Sequence, residues 1–142
     1  MKKSLFLLLL VIVCSVNLFA QNVRLVVDVT HVVVNDGKVY LALFSNADAF
    51  RRERPCFVFE LNSTRTTLSQ EVNLPPGDYL ISAFQDKNGN GDLDFNLLGV
   101  PTELVGISNY NGRGFPTRNF NRHKIPINSE TGTVTISLHK FW

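Results

Sequence analysis

The chain has 142 residues, 44% of them hydrophobic and 18% charged, with a formal net charge of +2. That length supports one domain with a single hydrophobic core. The nearly balanced charge, without a clustered basic face, excludes the nucleic-acid-binding classes.

The first segment reads as a processing signal. MKKS is a charged start, LFLLLLVIVC an apolar core, and SVNLFA a polar end closing on a small residue, the marks of a secretory signal peptide cleaved after Ala20. A lipoprotein cut before Cys14 is the alternative, disfavoured by bulky Val13. The apolar run is shorter than the roughly 20 residues of a membrane span, and no later segment is long and apolar enough to be a spanning helix. An exported chain, periplasmic or extracellular, without a membrane span after cleavage is therefore expected, with residues 21–142 as one domain. Loss of Lys2 and Lys3 leaves twelve cationic against twelve anionic residues. Loss of Cys14 leaves Cys56 with no intramolecular partner, and its setting, PCFVFEL, predicts a buried thiol acting as a small hydrophobe.

Strand signals follow. Val23, Leu25, Val27 and Val29 alternate with Arg24, Val26, Asp28 and Thr30, the period of a half-buried strand. Asp36-Gly37 then reads as a hairpin turn into a second, antiparallel strand, KVYLALFS. NADAFRRERP reads as a loop with a helical turn. Its arginines 51, 52 and 54 form a solvated loop or, alternatively, face an anionic partner. CFVFEL is a short strand. TTLSQEVNL places Leu68, Val72 and Leu74 inward, and Pro75-Pro76-Gly77 turns the chain into DYLISAFQD. That strand has Tyr79, Ile81 and Ala83 on one face, with Leu80 and Phe84 on the other, which suits a central position.

Residues 86–122 carry almost no strand signal and are rich in Gly, Asn and Asp. Apolar residues scattered through them predict an ordered loop packed over one end of the sheets. HKIPIN and GTVTISLHKF read as a closing pair. Seven short strands therefore predict an all-β, antiparallel Greek-key sandwich, immunoglobulin-like in connectivity, with a long ordered loop after the fifth strand. The terminal Phe141-Trp142 raises an outer-membrane barrel as the rival, but too few strands of sufficient length are available.

The stretch Asp86-Lys87-Asn88-Gly89-Asn90-Gly91-Asp92-Leu93-Asp94 matches the opening of an EF-hand-type calcium loop. Calcium takes six to eight hard oxygens, which alternate side chains of a curled loop can supply. Asp86, Asn88 and Asn90 would donate side-chain oxygens and Asp92 its carbonyl. Asp94 would bind directly or through water, and Leu93 would anchor the loop. The twelfth position is Leu97 where the motif has glutamate, so Glu103 is the candidate closing ligand. The alternative is a metal-free turn, since Asn, Asp and Gly also favour ordinary turns.

The same region, with Pro76-Gly77 before it and Gly99-Val100-Pro101-Thr102-Glu103 and Gly106-Ile107-Ser108-Asn109 after it, resembles a bacterial exported family, domain of unknown function 2141. Gln85 stands where that family often has histidine. The resemblance implies a sandwich of the transthyretin or carboxypeptidase-regulatory kind and no established activity. Among the residues themselves, His31, His123 and His139 are far apart in sequence, and no zinc or nucleophile motif occurs. A non-enzymatic binding or adhesion module is expected, with Tyr110, Arg113, Phe115 and Arg118 presented to an envelope or extracellular protein or glycan. The alternatives are a purely structural envelope domain and a hydrolase using the loop carboxylates.

Overall fold

Alternation in β1 (Val23–Thr30) puts Val23, Leu25, Val27 and Val29 on one face, and all four are buried. The computed structural model describes residues 21–141; the expected signal peptide, residues 1–20, lies outside them. After β1 come β2 (Lys38–Phe44), a short helix α1 (Ala47–Arg51), β3 (Phe57–Asn62), β4 (Thr67–Leu74) and β5 (Gly77–Asp86). They are followed by β6 (Leu104–Ile107), the one-turn helix α2 (Phe120–His123), β7 (Ile125–Ile127) and β8 (Thr133–Ser137).

The strands form two sheets, making a mostly β, sandwich-like domain. One sheet has three strands in the order β4-β1-β8; the other has five, in the order β3-β2-β5-β6, with β7 also paired to β5. The core includes Leu25, Val27 and Val29 from the first sheet and Val39, Leu41, Leu43, Ile81 and Ala83 from the second. Leu68, Val72 and Leu74 of β4 are buried as their alternation predicts. β5 lies between β2 and β6. On its far face Leu80 packs with Phe44 and Phe120 in a second small core, so both faces are covered. The helical turn expected in NADAFRRERP is α1, N-capped by Asn46, whose Oδ1 accepts the Ala49 N–H at 2.8 Å.

Several connections differ from the sequence reading. There are eight described strands, not seven, because β6 lies inside the segment expected to be loop. The sheets are not wholly antiparallel, since β1 and β8 pair in parallel, with Val26 opposite Thr133 and Thr30 opposite Ser137. Asp36-Gly37 does not close a hairpin: β1 and β2 belong to different sheets, and the turn carries the chain across the core. HKIPIN and GTVTISLHKF do not pair with each other. β7 pairs with the start of β5 and β8 with β1. The two sheets are joined at one edge by the antiparallel Val105–His139 bridge, but among the described residues β3 and β4 at the other edges do not pair, so no single closed sheet of the kind a barrel requires is formed. Cys56 is exposed, not buried, because it precedes β3 at the sheet edge; its thiol donates to the Leu43 carbonyl at 3.2 Å.

Candidate functional site

The covered strand β5 delivers Asp86 to the loop in a nearly dry setting, only 1% exposed. Its Oδ1 accepts the Gly89 N–H at 2.7 Å and its Oδ2 the Gly91 N–H at 2.8 Å. Both glycines have left-handed φ, 76° and 82°, which lets the chain curl back over the carboxylate. The curl continues outward. Asn88 Oδ1 accepts the Asn90 N–H at 3.0 Å, and Asn90 Oδ1 accepts the Asp92 N–H at 2.9 Å. The side-chain amides of Asn88 and Asn90 both donate to Asp94 Oδ2, at 2.6 and 2.9 Å. Leu93 is half-buried.

Glu103, just before β6, closes this loop. It is buried, and its Oε1 accepts the Lys87 N–H at 3.0 Å while Oε2 accepts that of Asp94 at 3.4 Å. One carboxylate therefore holds both ends of the Asn/Gly stretch. Thr102 adds a backbone bond, its N–H donating to the Asp94 carbonyl at 2.9 Å.

Burial pushes the Glu103 carboxyl above the ordinary glutamate value of 4.5. The charges of Asp86 and Asp94 push it further, against the opposing pull of the Lys87 and Asp94 N–H groups. A carboxyl raised in the folded state binds more protons there than when unfolded. Its contribution to stability therefore falls as pH rises from 4.5 through the raised value. Glu103→Gln lacks that slope. In chelator, the variant is expected to gain stability relative to wild type between pH 4.5 and neutrality, as read by denaturant unfolding at the two pH values. A constant difference between the two proteins would show that folding does not raise the Glu103 carboxyl.

The donor set suits a hard cation: carboxylates, amide oxygens and backbone carbonyls, with no thiolate or imidazole. Among the described residues, no three His, Cys, Asp or Glu side chains are grouped as ligands of one ion. Asp86, Asp94 and Glu103 border the same loop without forming a three-carboxylate ligand group, so a bound ion would depend also on Asn88, Asn90 and the Asp92 carbonyl.

Three residues that fasten the region were not singled out in the sequence as structural anchors. Gln85 is buried; its Oε1 accepts the Val33 N–H at 2.9 Å, and its Nε2 donates to the carbonyls of Val33 and Asp36 at 2.7 and 2.8 Å. Ser108 is buried at the end of β6. Its Oγ accepts the Ile81 N–H at 2.9 Å and donates to the His123 carbonyl at 2.6 Å, tying β5 to α2. Gly106 allows the two sheets to meet, because a Cβ there would stand 2.6 Å from the Ser137 carbonyl oxygen on β8. The motif Gly106-Ile107-Ser108-Asn109 is the only sequence signal of this junction. Its last member, Asn109, has φ 54° and donates from Nδ2 to the Arg122 carbonyl at 3.1 Å.

The four residues expected to meet a partner divide into separate settings. Tyr110 packs edge-on against His139, with ring centres 5.2 Å apart. Phe115 packs against Phe141 at 5.2 Å, and Tyr110 lies 6.0 Å from the same ring. These aromatics therefore join the C-terminal segment, with Phe115 still half-exposed. Arg118 is instead paired with Glu53, 2.8 Å away, beside a cleft of about 500 Å³ that Phe50, Arg51 and Phe120 also line. Arg113 is exposed, and its backbone N–H donates to Asn111 Oδ1 at 3.1 Å.

No curated protein and no solved structure matches the chain. A family model described as "Uncharacterized protein conserved in bacteria (DUF2141)" matches residues 27–136, from the middle of β1 to β8. The match spans the Asp86–Asp94 loop, Glu103 and the Gly106–Asn109 junction together, and the chain belongs to this bacterial family, domain of unknown function 2141.

Proposed function

We propose that this chain is an exported, non-enzymatic binding or adhesion-type module, periplasmic or extracellular, whose Asp86–Asp94 loop takes a calcium ion weakly. Its sandwich is read as one of the transthyretin or carboxypeptidase-regulatory kind. The position of Glu103 carries the cation reading. Nine residues beyond Asp94, a buried carboxylate returns to the loop and adds negative charge beside Asp86 and Asp94. A divalent cation would relieve that concentration of charge. Two asparagines in place of aspartates limit the attraction, giving a Kd on the order of 10⁻⁴–10⁻³ M, the range of extracellular modules.

Segment 86–123, fixed at Glu103, Gly106 and Ser108, would carry the surface for an envelope or extracellular protein or glycan, with Tyr110, Arg113, Phe115 and Arg118 as contacts. Aromatic and arginine side chains are common anchors of such surfaces. The carboxylates best suited to acid–base chemistry lie beneath backbone N–H donors, which favours a holding role over hydrolysis.

A metal-free structural domain is the second reading. It is favoured by the bonds that already occupy both Asp86 oxygens and Asp94 Oδ2. Terbium separates the two. Tyr40 hydroxyl lies 3.8 Å from the position of a Cβ on Gly91, close enough to sensitise an ion in the loop. Tyrosine-excited terbium emission that calcium displaces, and that Glu103→Gln lacks, is the expected result. Emission no stronger than that of the variant would favour the metal-free domain.

A further inference from the structure

Between the loop and β6 the chain makes a narrow hairpin. Phe95 and Pro101 are bridged, and Asn96-Leu97-Leu98-Gly99 forms the tip. The two leucines are 106% and 88% exposed, and Phe95 below them is 54% exposed. Apolar side chains this bare, adjacent and at one apex mark a surface for an apolar partner.

Four of the five N–H groups from Asn96 to Val100 are also paired within the tip. Asn96 N–H donates to the Val100 carbonyl and Gly99 N–H to the Asn96 carbonyl, both at 2.9 Å. The Asn96 side-chain oxygen accepts the N–H groups of Leu98 and Val100, at 2.9 and 3.0 Å. Unpaired polar groups are the costly part of entering hydrocarbon, so a tip with most of its donors paired suits the bilayer interface, where headgroups and water meet the rest. No residue from 95 to 102 is charged, so burial of the tip would desolvate no ion. From the Phe95–Pro101 bridge to the apex is about three residues, roughly 10 Å at strand rise. That is the upper end of the depth to which interfacial elements sink, about 5–10 Å. A convex apex without a rim of its own also suits a deformable surface better than a preformed groove.

We infer that the Phe95–Pro101 hairpin is a membrane-docking tip that sinks Leu97 and Leu98 into the interface of a lipid bilayer. The surroundings set the lipid preference. Residues 88–112 contain Asp92, Asp94 and Glu103 and no Lys or Arg, so an uncharged bilayer is preferred over an anionic one unless a cation occupies the neighbouring loop. The docking itself does not depend on the cation.

The test uses the chain from Gln21, which contains every described element, in sedimentation with phosphatidylcholine or phosphatidylglycerol vesicles, each in chelator and in calcium. Wild type is expected to sediment with phosphatidylcholine in both conditions. The double variant Leu97→Ser with Leu98→Ser should lose at least fivefold of the bound fraction at unchanged melting temperature, because the two side chains are bare in the folded chain. Phosphatidylglycerol should bind less protein in chelator. Recovery in calcium supports the tip and the cation together, whereas failure to recover counts against the cation reading alone. Three results would overturn the tip: no sedimentation with any vesicle, equal sedimentation of the double variant, or leucine-dependent self-association of wild type without lipid, which would assign the apex to a second copy.

Discussion

Alanine at Gly37 is expected to destabilise the domain by about 3 kcal/mol or more, lowering the melting temperature by roughly 10 °C. Gly37 has φ 80°, and a Cβ there would fall on the carbonyl oxygen of Asp86. The contact lies where β2 begins, with Lys38 opposite Asp86 in the sheet. Two costs therefore combine: a left-handed backbone carrying a side chain, and a collision with main chain that no rotamer change relieves. Relief requires β2 to withdraw from the end of β5, which would also displace Asp86 and the loop it holds. Gly89→Ala is the control. Its φ is 76°, but nothing lies within 4 Å of its Cβ position, so only the backbone cost of about 1 kcal/mol applies. Denaturant unfolding of the two variants measures the difference. Equal losses would show that Gly37 does not approach Asp86 closely.

Gln85→Leu is the second large effect, expected at about 2–4 kcal/mol despite conserving side-chain volume. Gln85 is 2% exposed and satisfies three backbone groups at once, the N–H and carbonyl of Val33 and the carbonyl of Asp36. Leucine would keep the packing and strip the partners from all three, and each unmade bond costs about 1–3 kcal/mol where water cannot substitute. Val33 itself is exposed, so water recovers part of the loss. Hydrogen exchange should locate the damage, with the Val33 amide losing protection while the paired centre of β1 and β4 retains it. A loss below about 1 kcal/mol would mean that the crossing from β1 to β2 holds its shape without this side chain.

The strand faces were readable in the sequence. Val23, Leu25, Val27 and Val29 declare one buried face, and Leu80 and Phe84 declare that β5 is covered on both, because burial writes itself into side-chain period. Period says nothing about which strand lies alongside. The parallel pairing of β1 with β8 and the separation of β7 from β8 therefore had no local signature. Asp36-Gly37 supplied the left-handed turn that its chemistry predicts, yet that chemistry is the same whether the flanking strands pair or part into different sheets. β6 is four residues long with a glycine in it, LVGI, too brief to show alternation.

In the site, Glu103 was legible as the acidic residue downstream of an incomplete calcium pattern, and it does fold back onto Lys87 and Asp94. Gln85 and Ser108 were not, because their partners are backbone atoms at Val33, Ile81 and His123 that only the folded chain brings near. Tyr110 and Phe115 could be recognised as ordered aromatics, but their contact with Phe141 depended on where the C-terminal segment runs.

The loop's capacity for a cation is most directly tested by melting the chain in about 5 mM calcium and again in chelator. With a Kd near 0.1 mM, native-state binding adds about 2 kcal/mol of stability, a rise of several degrees. Asp86→Asn and Glu103→Gln should each melt at one temperature in both solutions. Asparagine is the better probe at position 86, since it keeps one of the two acceptors that hold the Gly89 and Gly91 N–H groups where alanine would remove both. A calcium-dependent rise in wild type that both variants lack is the predicted result. Identical wild-type melting in calcium and in chelator would contradict it.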